Sequence, residues 1–165
     1  MFAERLDIGK GGDAIRNTVA HMARIARFGN HQPMLILTVQ NIIRDHPERR
    51  EQARAICEWV KEHVTYTRDP KGLEMVQEPV FMITQINVYG RATGDCDDMA
   101  TLMAALLLAA GFHAGFRVIG PRDFRLKHVY NIVALHGETI PMDATEPDFQ
   151  FGQEHSYFIK KDVWV

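Results

Sequence analysis

The run Gly94-Asp95-Cys96-Asp97-Asp98, immediately ahead of an apolar stretch, is where the sequence offers chemistry. A thiol attacks a carbonyl as the thiolate, and a free pKa of about 8.5 leaves little of that form at neutral pH. A helix beginning at Cys96 supplies two remedies. Its unpaired N–H groups and positive dipole end favour an anion, and the same N–H groups can donate to an oxyanion developing on a substrate carbonyl. Gly94 would let a substrate chain come close. The competing reading is a small buried apolar cysteine, and three flanking carboxylates fit poorly in a core. Those acids also oppose a thiolate by like-charge repulsion unless they are paired or directed away. One of them can cap the helix. The others need a partner such as an arginine or a calcium ion. The spacing is not that of an EF-hand, which requires glycine at the sixth loop position and glutamate at the twelfth.

A cysteine nucleophile needs a base, and the base needs an orienter. Of eight histidines, His128 opens an apolar run that reads as a strand, a rigid place from which an imidazole can face a helix start. His113 lies beyond the far end of the Cys96 helix. His136 falls in a turn, and His21, His31, His46, His63 and His155 show no partner pattern. Asp143 closes the neighbouring strand and is placed to hold an imidazole in one tautomer; Asp148 and Asp123 are its rivals. There is no His-Glu-x-x-His or Cys-x-x-Cys element, which argues against a zinc hydrolase. Gly9-Lys10-Gly11-Gly12 lacks the spacing of a phosphate loop and reads as a turn. Cys57 lies on the apolar stripe of a helix and reads as packing, as do Met22, Met99 and Met103. Trp59 and Tyr66 suit a pocket wall and ordinary packing equally.

The elements that must position these residues can be read from periodicity. Ile15, Val19, Met22 and Ala26 fall at helical spacing with Asp13 as a candidate N-cap, and Phe28-Gly29-Asn30 reads as a stop. Pro33 suits the first turn of a second helix that ends near His46-Pro47. Residues 48–63 carry one apolar stripe, Ala53, Ile56, Cys57 and Val60, continued by Val64. Residues 74–94 show no sustained period and read as irregular or mixed, in a loop-rich segment spanning 65–95. Residues 96–110 are apolar on all sides, so that helix belongs at the centre of the fold, closed by Gly111. Strands are expected at 115–119, 129–135 and 138–143, the last two joined by a His136-Gly137 hairpin turn. Helices followed by strands argue α+β with an antiparallel sheet.

Composition sets the remaining bounds. The 165 residues, 46% hydrophobic and 24% charged with a net charge of -2, suit a single domain spanning 1–165 with a real core. No basic block invites nucleic acid. The acids at positions 4 and 7 exclude a secretory signal, and the apolar run at 99–110 is too short for a membrane span. Two cysteines make no disulfide framework. A cytoplasmic protein that engages neither nucleic acid nor membrane is expected.

Taken together, Gly94-Asp95-Cys96-Asp97-Asp98-Met99-Ala100, His128-Val129-Tyr130 and Pro141-Met142-Asp143-Ala144-Thr145 resemble the transglutaminase-like superfamily of papain-like cysteine enzymes, in that family's order Cys, His, Asp. Upstream, Ala55-Ile56-Cys57-Glu58-Trp59-Val60, then Tyr66, Asp69-Pro70, Glu74 and Gln77, is similar to the helix and loop of phage and prophage members. The resemblance covers residues 13–145. It implies a papain-like fold, with N-terminal helices and a central cysteine helix packed on a small antiparallel sheet carrying the histidine and aspartate. It also implies a thioester on Cys96, with His128 moving the proton and Asp143 orienting it. Water as acceptor would give a peptidase, amidase or deamidase; an amine would give a transglutaminase. A relative with calcium-dependent adhesin-cleaving activity has acids flanking its cysteine, as Asp95 and Asp97 do here, yet no cofactor is expected to be required. Gln77 and Gln85 are the candidates for completing an oxyanion hole.

The resemblance thus favours a cysteine hydrolase of amide bonds acting on a protein or peptide, with phage structural proteins as candidate partners. Cross-linking transglutaminases usually carry further domains. A non-catalytic assembly module would have no reason to keep Cys96, His128 and Asp143 together. An arylamine N-acetyltransferase is disfavoured by length.

Overall fold

The computed structural model describes residues 3–5, 12–69, 75–121 and 127–165. Helices α1 (Gly12–Gly29), α2 (Pro33–Ile43), α3 (Arg49–His63) and α4 (Pro79–Tyr89) all pack against α5 (Cys96–Ala109). Every α5 residue from Asp98 to Leu107 is buried. That is the environment a helix without a polar face requires. The other wall of α5 is formed by β5 (His113–Gly120) and β6 (His128–Leu135). These belong to an antiparallel sheet in the order β7-β6-β5-β8, completed by β7 (Glu138–Met142) and β8 (Ile159–Trp164). Two small ladders lie outside it: β1 (Ala3–Arg5) antiparallel to β3 (Met75–Gln77), and β2 (Val64–Tyr66) parallel to β4 (Ala92–Gly94). The architecture is α+β, as the order of patterns requires.

Local chemistry sets most boundaries. Pro33 and Pro79 each open a helix where a missing N–H costs nothing. The β6–β7 hairpin turns on His136 and Gly137, both at positive φ (50° and 83°), as a two-residue loop between twisted strands demands. Asn131, fully buried on β6, donates from Nδ2 to the Ala100 carbonyl at 3.0 Å and so ties the first turns of α5 to the sheet.

Four points differ from the expectations. The segment read as loop-rich, 65–95, contains α4 and three short strands. Apolar residues Val80, Phe81, Met82, Ile83 and Ile86 blur the helical period of α4. Its only legible marks are the punctuation, Pro79 at the start and Gly90 at φ 78° at the end. Asp13, expected as an N-cap, lies within α1, and α2 stops at Ile43 rather than near residue 46. β8 was not foreseen, because Ile159-Lys160-Lys161-Asp162-Val163-Trp164 has no apolar alternation. It forms by main-chain pairing with β5, and its charges suit a sheet edge. Gly9 to Gly11, Glu74 and Asp123 lie outside the described residues. No helix among the described residues is long and apolar enough to cross a membrane.

Candidate active site

The start of α5 is built from two aspartates that cap each other's backbone. Asp95, the N-cap, accepts from the N–H groups of Asp97 and Asp98 at 3.0 and 3.3 Å, while Asp98 Oδ2 accepts from the Asp95 N–H at 3.2 Å. This is a capping box with aspartate in both roles. Asp98 is 1% exposed and receives two further donors from Gln77, its backbone N–H at 2.7 Å and its amide Nε2 at 2.8 Å. A Cβ at Gly94 would stand 2.6 Å from the Asp98 Cβ. Gly94 thus leaves the room that Asp98 occupies.

The counter-charges anticipated for these acids are, for Asp98, N–H groups. Burial, with Asp97 and Asp98 alongside, still pushes the Asp95 carboxyl up to about 8. Burial also raises Asp98, against the pull of the Gln77 hydrogen bonds. Cys96 is half-buried, and burial, then Asp97 and Asp95, push its thiol upward; the backbone N–H of Val129 acts in the opposite sense. The thiol donates to Asp97 Oδ1 at 3.5 Å, and among the described residues no hydrogen bond joins it to an imidazole. Cys57, in the core, is pushed up to about 12 by burial and is an inert packing residue.

The opposite half of the site stands on the sheet. The register pairs Asn131 with Met142, so one step further Asp143 lies beside Tyr130, on the same face as His128 two residues along β6. His128 Nε2 is 2.6 Å from Asp143 Oδ2. His155 Nε2 reaches the same oxygen at 2.8 Å, and Thr145 donates to Oδ1 from its N–H at 2.9 Å and its hydroxyl at 2.7 Å. Burial of Asp143 would raise its pKa, but hydrogen bonds from His128, Thr145 and His155 outweigh it and hold the carboxyl at about 2. An ionised carboxylate only accepts, so both histidines present Nε2–H to it. In neutral His128 the lone pair is then on Nδ1. Val129, whose N–H faces the Cys96 thiol, is the residue after His128.

The structure thus joins His128 to Asp143 and sets Cys96 against the start of β6. Gln77 serves Asp98: its amide nitrogen donates to Asp98 and to the Thr93 carbonyl, at 2.8 Å each. Gln85 is half-buried on α4. Asp148 lies exposed in a turn. Tyr66, with Val64, Met99, Ala144 and Thr145, walls a cavity of about 440 Å³ beside the Asp143 loop. Sequence reasoning missed two residues. Thr145 had a local signal, the Asp-x-Thr of an Asx-type turn. His155 had none, because its partner becomes a neighbour only when β8 closes the sheet.

Two groups of donor atoms come together closely enough to ask about a metal. Asp95, Cys96 and Asp97 offer two carboxylates among the described residues, fewer than the roughly six to eight oxygens calcium takes. His128 and His155 approach the shared Asp143 oxygen at 2.6 and 2.8 Å. Ligands on one tetrahedral zinc stand about 3.3 Å apart, given zinc–ligand distances near 2.0–2.1 Å. For His128, Asp143 and His155 these are hydrogen-bond distances.

No curated protein matches the chain. Among solved structures it is similar to a candidate protease from Parabacteroides distasonis, at 13% identity and a TM-score of 0.62, covering 81% of this chain and 26% of that one. A candidate cysteine protease from Cytophaga hutchinsonii aligns at 22% identity and a TM-score of 0.51, covering 67% of this chain and 36% of that one. The chain therefore spans about a quarter to a third of those proteins, and at such identities the likeness is one of fold. The sequence profile of the transglutaminase-like superfamily matches residues 37–144, well over half of the chain, and includes Cys96, His128 and Asp143. The chain belongs to the transglutaminase-like superfamily.

Proposed function

We propose that the protein is a cysteine-dependent hydrolase of amide bonds in a protein or peptide, acting through Cys96, His128 and Asp143. The observation that carries this reading is the His128–Asp143 hydrogen bond at 2.6 Å, at the start of the strand whose Val129 N–H faces the Cys96 thiol. An aspartate held ionised fixes the Nε2–H tautomer of His128 and leaves Nδ1 as the base. Because burial, Asp97 and Asp95 favour the neutral thiol, proton transfer to His128 accompanies attack once bound substrate has brought the two groups together.

Sγ bonds to the substrate carbonyl carbon as its proton passes to His128 Nδ1. The C–N bond breaks, and His128 returns the proton to the leaving amine. Water, deprotonated by His128, then attacks the thioester to release the acid and regenerate the thiol. For the oxyanion, the N–H of Asp97 and Asp98 are engaged by Asp95, whereas that of Cys96 has no acceptor among the described residues.

The test is the rate of iodoacetamide alkylation of Cys96 against pH, in the parent and in His128→Ala. Alkylation is expected to be at least about tenfold slower in the variant near neutral pH, the lower end of what a general base contributes being larger still. Identical, thiol-like profiles in the two proteins would sink the catalytic reading. Transfer of an acyl group to a labelled primary amine, in place of hydrolysis, would identify a transglutaminase.

A further inference from the structure

After β7 the chain does not enter β8 directly. Residues 143–158 form a strap, and two consecutive residues, Glu154 and His155, reach back onto the sheet. The register explains where they land. Tyr130 on β6 pairs with Arg117 on β5, which pairs with Asp162 on β8, so a polar row runs across the sheet from Asp143. Glu154 is fastened to that row by Arg117 and by the Tyr130 hydroxyl at 3.0 Å, and to the row of His128 by Lys160 at 2.6 Å. Burial would raise its carboxyl, but these donors hold it below the ordinary range. Glu154 is thereby the anchor of the strap, and it delivers the next residue to Asp143.

His155 fits that place closely. Its ring stands edge-on to His128 with centroids 5.1 Å apart, and it packs against Phe149 at 4.6 Å and Tyr130 at 5.6 Å. Its side chain is 15% exposed, while that of Asp143 is 1% exposed. A carboxylate offers about four lone-pair sites. Here Thr145 fills both on Oδ1, and His128 and His155 fill both on Oδ2. Without His155 one site would be empty in a position water scarcely reaches, and the carboxylate would turn to recover a donor or take up a proton. Either change degrades the partner of His128.

We propose that His155 is a positioning residue of the site: its Nε2–H fixes the Asp143 carboxylate so that Oδ2 stays aimed at His128. The proposal rests on the reading of Cys96, His128 and Asp143 given above. It also places part of the machinery beyond residue 144, where the superfamily match ends.

The experiment measures iodoacetamide alkylation of Cys96 at neutral pH in the parent and in H155F, H155Q and His128→Ala. H155F keeps the ring and loses the donor. It is expected to slow alkylation about tenfold, the worth of one hydrogen bond to a charged acceptor. H155Q places an amide N–H where Nε2 stood and should return the rate to within about twofold, the scatter of independent sites. Added to D143N, H155F should have no further effect beyond about twofold, since it acts only through that carboxylate. Parent-like alkylation of H155F beside a slow His128→Ala overturns this inference alone, as does an additive loss in the double variant or a glutamine variant as slow as the phenylalanine one. Fast alkylation of His128→Ala overturns the reading beneath it.

Discussion

Two clusters are built around carboxylates in this molecule, and the same functional group behaves oppositely in them. At the start of α5, Asp95 is driven up to about 8; at the end of β7, Asp143 is held at about 2. Burial opposes ionisation in both. The difference lies in the neighbours. Asp143 meets four donors, two of them imidazoles, whereas Asp95 meets two backbone N–H groups and two further carboxylates. Donors stabilise a buried anion and like charges destabilise it, so the count of donors decides the sign. One cluster can therefore orient a base, while the other disfavours a thiolate.

The largest effect should come from breaking the well-supplied cluster. Asp143→Asn removes the charge that fixes the His128 tautomer, and alkylation of Cys96 should fall about 10²-fold, within the range for a general acid–base partner. A rate near that of the parent would mean that Asp143 is only a turn residue. A second, intermediate effect tests the donors of the other cluster. Gln77→Ala removes an amide donor from the buried Asp98, and urea unfolding should show a loss of about 1.5–3 kcal/mol, as for a hydrogen bond to a charged group. No change in midpoint would show that the backbone N–H of Gln77 suffices.

The smallest effect concerns pH. The Asp95 carboxyl rises from an ordinary 3.8 to about 8 on folding, so the folded protein retains a proton that the unfolded chain releases. Its contribution to stability is therefore present below 3.8 and is lost as pH rises through about 8. Asp143 has the opposite sign: its contribution is present above 3.8 and is lost as pH falls through about 2. Asp95→Asn keeps an N-cap acceptor and deletes the charge. Solvent screening at this half-buried group cuts the effect well below the full shift. The variant's melting temperature should therefore exceed that of the parent by about 2–4 °C more at pH 9 than at pH 5, corresponding to about 1 kcal/mol for a chain of this size. Equal gains at the two pH values would remove the like-charge explanation.

Several of these features were legible in the chain itself. The apolar circumference of α5 announced a buried helix, and Gly94-Asp95-Cys96 announced its start. The alternation around the His136-Gly137 turn announced the hairpin that brings His128 near Asp143. Each is a short-range signal, a period or a cap read within one element. By contrast, α4 was hidden because apolar residues covered too much of its surface to leave a period, and β8 because its residues are mostly charged and exposed and show no alternation.

The sequence by itself thus determined the α+β class, the helix that carries Cys96, the strand that carries His128 and the strand that leads into Asp143, because capping, turns and hydrophobic periods act between residues a few positions apart. Only the tertiary structure decided what surrounds them: Gln77 on Asp98 across 21 positions, and His155 on Asp143 by way of a strap anchored at Glu154. Hydrogen bonds of that kind depend on which elements pack together, and no local pattern records them.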